Sequence, residues 1–180
     1  MDKLKESHRL LHSFCIRPKL RFDGQGDKEK VLLVLRAHPL TQIYWLINGL
    51  IFFSILVLLN IVITKLLDAY QILFFDLFGL VIILYYLWFN FLSWFFNVGI
   101  VTSERIIDMD YSSVLFKEVT IAMLNKVEDL TSKSAGFFSS IFDYGNVFIQ
   151  TAGTEANIEF MNIPRPSETV KIINDILNQK

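Results

Sequence analysis

Two runs of apolar residues, nearly free of charge, dominate the first half of the chain. One spans residues 43–64 (IYWLINGLIFFSILVLLNIVIT) and the other about 77–97 (LFGLVIILYYLWFNFLSWFFN). A helix rises about 1.5 Å per residue, so about 20 residues cross a hydrocarbon core about 30 Å thick. Both runs have that length. They predict two transmembrane helices. The intervening stretch, Lys65 to about Asp76, is short enough to force an antiparallel hairpin.

After residue 97 the period changes from helical to alternating. Val98–Thr102 and Arg105–Asp110 read as two strands across a Ser103-Glu104 turn. In Lys117–Leu124, Val119, Ile121 and Met123 alternate with Glu118, Thr120 and Ala122, which is strand spacing. Val127–Lys133, Asn146–Thr151 and Glu155–Met161 continue the series. Pro164-Arg-Pro-Ser167 then marks a break, with Ser167 a predicted helix N-cap. Val170, Ile173, Ile176 and Leu177 follow at amphipathic-helix spacing. Antiparallel strands closed by one C-terminal helix are therefore expected.

The start of the chain is weaker in pattern. Leu4, Leu10, Leu11 and Phe14 fit one face of a short helix. Residues 22–27 (FDGQGD) read as a turn. Residues 30–36 (KVLLVLR) fit either a short strand or the approach to the first span, and His38-Pro39 breaks the chain before it. The expected divisions are a cytoplasmic N-terminal region over 1–42, a helical hairpin over 43–97 and a cytoplasmic domain over 98–180.

Charge supplies the orientation. Residues 1–42 hold nine Lys/Arg against five Asp/Glu, whereas residues 97–180 hold seven against eleven. Lys28, Lys30 and Arg36 precede the first span, and the link between spans offers only Lys65. The positive-inside rule then puts both termini in the cytoplasm of a cell whose inner membrane the hairpin crosses. Tyr44, Trp45, Trp88 and Trp94 fit interfacial positions. The polar start, MDKLKESHRLLHSF, does not read as a secretory signal. The lone Cys15 rules out an internal disulfide framework.

Chemistry-bearing patterns are sparse. His8 and His12 stand four apart, a spacing that metal ligands use, but no further His or Cys completes a site. His38 reads as an interfacial turn residue. Asp108, Asp110, Glu128, Asp129 and Asp143 match no cation-loop motif and read as domain surface. There is no GxGxxG, P-loop, GxSxG, HExxH or CxxC. No catalytic residue, metal or cofactor is predicted, and the acidic C-terminal part argues against nucleic acid. Asn48, Asn60 and Asn90 are polar positions within the spans, suited to bonding between helices. Asp76, at the edge of the second run, is the most interesting membrane-adjacent charge. Residues 137–142 (FFSSIF) gather Phe137, Phe138, Ile141 and Phe142 in a segment rich in Gly and Ser. They are candidates for core filling, or for contact with a partner or the membrane.

Three stretches in order carry a resemblance: Val31-Leu-Leu-Val-Leu-Arg-Ala-His-Pro39, Val101-Thr-Ser-Glu-Arg-Ile-Ile-Asp108, and Val127-Glu-Asp-Leu130 followed by Phe142-Asp-Tyr-Gly-Asn-Val-Phe-Ile-Gln-Thr-Ala-Gly153. Over about residues 30–178 the chain resembles the bacterial, membrane-flanked pleckstrin-homology-like (PH-like) domains. The resemblance implies a bent antiparallel barrel or sheet capped by the C-terminal helix, and no catalytic residues. The first strand pair departs from lipid-binding members, with Arg105 but no basic cluster.

Three functions are thereby expected, in descending order. The first is a membrane-tethered module that binds another protein or its own copies. The second is an anionic-lipid sensor using Lys28, Lys30, Arg36 and Arg105. The third is a small transporter or channel of oligomerised hairpins, motivated by Asp76.

Overall fold

A computed structural model describes residues 12–22, 24–113, 116–152 and 157–178. The chain divides into two compact units, one of residues 40–94 and one formed by the residues up to Pro39 together with 95–180.

The first unit is a pair of helices, α1 (Ile43–Ile63) and α2 (Ala69–Phe96, its last turn belonging to the other unit). The second helix starts eight residues before the apolar run expected from residue 77. Asp68 and Gln71 explain the early start. The Gln71 side chain accepts the Asp68 backbone N–H at 3.1 Å, and Ile72 N–H begins the helical ladder on the Asp68 carbonyl. That is half of a capping box, which fixes a helix start three residues before the glutamine. The helices approach closely at two glycines. A Cβ on Gly49 would lie 2.6 Å from Leu87, and one on Gly79 2.6 Å from Leu56. Small residues permit such approach. Both helices are apolar on every side, with mean hydropathies of 2.6 and 2.2, and almost wholly unburied by protein.

The second unit holds two antiparallel sheets. The larger runs β1 (Phe14–Ile16), β2 (Val31–Leu35), β3 (Val98–Thr102), β4 (Arg105–Ser113) and β5 (Phe116–Met123), in that spatial order. The smaller runs β6 (Val127–Lys133), β7 (Tyr144–Thr151) and β8 (Ile158–Pro164). A short helix, α3 (Phe137–Phe142), connects β6 to β7, and α4 (Pro166–Leu177) closes the unit.

Register follows from side-chain chemistry. The Thr102 hydroxyl accepts the N–H groups of Glu104 and Arg105 and donates to the Arg105 carbonyl at 2.8 Å, which closes the β3–β4 turn. Leu33, Leu35, Val101, Ile106, Ala122 and Leu124 of the large-sheet side share one core with Val147, Ile149, Ile158, Phe160 and Ile163 of the small sheet and Ile173 of α4. Cys15, Val31, Val34, Ile100 and Ile107 form a second cluster, packed beneath Phe22 and Met109. Gly99 has no substitute at its site: a Cβ there would stand 2.4 Å from the Phe160 ring.

Three expectations change, and a fourth falls largely outside the described residues. There is no closed barrel among the described residues: β5 pairs only with β4, and a 3-10 turn at Leu124–Lys126 redirects the chain so that β6 pairs with β7 instead. The N-terminal segment is not separate, because β2 pairs with β3 from Val31↔Thr102 to Leu35↔Gly99. Helix α4 is capped by Arg165 in the left-handed region (φ 51°) with Pro166 at its first position, not by Ser167. The expected helix over residues 4–14 and the His8–His12 pair lie largely outside the described residues, and Phe14 belongs to a strand.

Candidate functional site

The four cations singled out in the sequence do not form one patch. Lys28, Lys30 and Arg105 gather where β2 begins and the β3–β4 turn closes, since Ser103 N–H bonds the Lys30 carbonyl. Arg36 follows the other end of β2, about 16 Å away along a strand rising about 3.3 Å per residue. There its guanidinium lies 4.7 Å from the Phe95 ring centroid, and burial lowers its pKa.

Arg105 has an internal partner. Its Nε and Nη2 bond both carboxylate oxygens of Glu29 at 3.0 and 2.9 Å, and Nη2 also donates to the Gly24 carbonyl at 2.7 Å. Glu29 is almost completely buried and further accepts the Gly26 N–H. The Arg105 hydrogen bond outweighs burial and holds the Glu29 carboxyl down at about 2, while Glu29 raises the pKa of Arg105. The pair clamps the loop at residues 24–29 onto the β3–β4 turn. Sequence pattern missed Glu29 because it stands in an ordinary charged run, Asp27-Lys-Glu-Lys30.

Strand β5 carries an inverted polarity. Ala122 is buried, whereas Val119, Ile121 and Met123 are each more than two-fifths exposed. Across from it, Asp108 lies partly buried on the inward side of β4, with Asp110↔Glu118 a directly opposed like-charge pair. Burial, with Asp110 and Glu118 beside it, pushes the Asp108 carboxyl up to about 7; Asp110 is also raised, first by burial and then by Glu118. The edge strand β5 thus turns an apolar stripe outward, while Asp110 and Glu118 stay exposed and Asp108 alone of the three acids is partly buried.

Helix α3 shows the same inversion more strongly. Ser139 is buried and donates to the Gly136 carbonyl at 2.7 Å. Phe137, Phe138, Ile141 and Phe142 are 75, 62, 57 and 46% exposed. They do not fill the core. Phe142 and Asp143 border a cavity of about 550 Å³ whose other walls include His12, His38, Pro39 and Arg165. His38 stacks on Tyr144 at 5.4 Å, its N–H bonds the Asn162 carbonyl at 2.7 Å, and burial lowers its pKa. Cys15 is buried in the second cluster.

In the helix pair, Asn60 Nδ2 bonds Asp76 Oδ1, and Asn48 Nδ2 reaches the Tyr86 hydroxyl at 3.4 Å. Both bonds run between helices. Asn90 instead bonds the Tyr86 carbonyl within α2. Because α2 begins at Ala69, Asp76 lies two turns inside the helix rather than at its edge, beside a cavity of about 200 Å³. No group of three His, Cys, Asp or Glu suited to a metal is found among the described residues.

The profile of the bacterial PH domain family matches residues 41–177. Comparison with curated proteins returns no match. Among solved structures, a DUF1696 family protein with a pleckstrin-homology domain from Shewanella loihica PV-4 aligns at 18% identity and a TM-score of 0.31, over 45% of this chain and 68% of that one.

Proposed function

Because the chain belongs to the bacterial PH domain family, we propose that it is a non-enzymatic, membrane-anchored interaction module. Helices α1 and α2 cross the inner membrane as a hairpin, with both termini cytoplasmic. The PH-like domain works at the cytoplasmic face, where it docks another protein or assembles with its own copies.

The anchor is supported by two helices that are apolar all round and long enough to span. The orientation is supported by Lys28, Lys30 and Arg36 against the single Lys65 of the link region. The observation that carries the docking role is β5: an edge strand with Val119, Ile121 and Met123 turned to the outside. Open strand edges are ready templates for pairing. Anionic-lipid sensing through the four cations has less support, since Arg105 is committed to Glu29 and Arg36 stands apart. The transporter reading rests on Asp76, whose bond to Asn60 equally serves helix pairing.

Photocrosslinking in native membranes tests the docking role, with a probe at Ile121 and a control at the exposed Lys171. A discrete protein adduct from position 121 alone supports it. Adducts with lipid only, or equal adducts from both positions, refute it.

A further inference from the structure

We propose that α3 is a wedge that enters the lipid bilayer surface beside the point where the chain leaves the PH-like domain for its membrane helices. The inference deepens the membrane-anchored reading and rests on it.

Polarity is the first argument. A six-residue helix that faced water would turn its serines outward and its phenylalanines in. Here Ser140 is exposed but Ser139 is buried, while Phe137, Phe138 and Ile141 are each more than half exposed. Aromatic and aliphatic side chains held out from a small folded unit are the pattern of a segment immersed in the interfacial region of a bilayer.

Position supplies the occupant. Within the domain, the last residues before α1 are His38 and Pro39. Both line the cavity that Phe142 lines, and His38 stacks on Tyr144, two residues beyond α3. The other chain crossing is at the same end, since Leu35 pairs with Gly99 at the start of β3. The aromatic helix therefore stands at the end of the domain from which both membrane helices depart. The loop at residues 24–30, bonded to the β3–β4 turn, is at the opposite end of β2 and β3. Lys133 at the close of β6 adds a cation at this end, whereas Arg165 on the cavity wall is paired with Glu168 at 3.3 Å.

The test uses the full chain in vesicles of phosphatidylcholine and phosphatidylglycerol. Cys15 is replaced by alanine, and an environment-sensitive fluorophore is attached in turn to cysteines introduced by Phe138→Cys, Lys28→Cys and Leu58→Cys. Spin-labelled lipid and aqueous iodide serve as quenchers. The label at position 138 is expected to be quenched by the lipid probe and to be shielded from iodide at least about threefold relative to position 28. Iodide quenching at 138 equal to that at 28, with 58 quenched by lipid, overturns the wedge and leaves the anchor standing. Shielding of 138 from both quenchers also overturns it, since α3 is then covered by protein. A label at 58 open to iodide refutes the anchor itself, and the wedge with it.

Discussion

Replacing Arg105 with glutamine tests whether the loop clamp governs the stability of the domain. Glu29 is 4% exposed, and its only charged contact among those described is the Arg105 guanidinium. Moving its carboxyl from an ordinary 4.5 to about 2 corresponds to about 3 kcal/mol, at about 1.4 kcal/mol per pH unit. Arg105 keeps 22% of its side chain in water, so the low end of the usual 3–5 kcal/mol for breaking a buried pair applies, about 3 kcal/mol. Arg105→Gln is expected to lose that amount at pH 7, read from denaturant unfolding of the full chain in detergent micelles. Glu29→Gln leaves only the part-exposed Arg105 without its carboxylate and should cost less, about 1–2 kcal/mol. The double variant should be no worse than Glu29→Gln alone. The pH dependence gives a second check. The folded carboxyl titrates below the unfolded one, so the wild type holds this stability above pH 4.5 and loses it as pH falls towards 2. The gap between wild type and Arg105→Gln should therefore close over that window. A gap below about 0.5 kcal/mol at pH 7, or one that does not change with pH, refutes the clamp.

Further outcomes follow from other sites. Asp108 titrates near 7 when folded against an ordinary 3.8, so its contribution falls as pH rises from about 4 to 7. Asp108→Asn should raise stability at pH 7.5 by about 1–2 kcal/mol, allowing for the water the carboxyl still sees, and should flatten that slope. Gly99→Ala drives a methyl into the Phe160 ring and should cost about 1–3 kcal/mol in thermal unfolding, partly recovered by Phe160→Leu. Asn60→Leu removes the bond to Asp76 and should weaken the helix pair by about 1 kcal/mol, read from tryptophan fluorescence during SDS titration.

Elements with a local signature were legible in the sequence. The apolar run at 43–64 became α1, the Thr102–Arg105 turn closed where alternation broke, and the stripe of Val170, Ile173, Ile176 and Leu177 packed onto the core. What required partners was not legible. Val31–Leu35 reads alike as a strand or a membrane approach, and only pairing with β3, more than sixty residues on, decides it. The early start of α2 was written in Asp68 and Gln71 but outvoted by the length of the apolar run. Alternation in β5 and the cluster at 137–142 announced two faces without saying which was inward. In both, the more apolar face is out, against the usual rule, because the interior side of β5 is filled by Ala122 and α3 is seated on Ser139. Phe137–Phe142 were recognised as candidates, whereas Glu29 carried no local signal.

The pairing of Leu35 with Gly99 also sets an order of events during synthesis. Closing a flexible loop of that length costs about 4 kcal/mol in chain entropy, scaling as (3/2)RT ln n. If the intervening helices have already come together as a hairpin, their two ends are neighbours and most of that entropy is spent before β2 meets β3. The large sheet then waits on the second helix to leave the ribosome, and the small sheet and α4 follow it in the chain. Until that moment β2 is an unpaired apolar strand, and a chain stalled before residue 98 would expose it to other nascent chains and to chaperones.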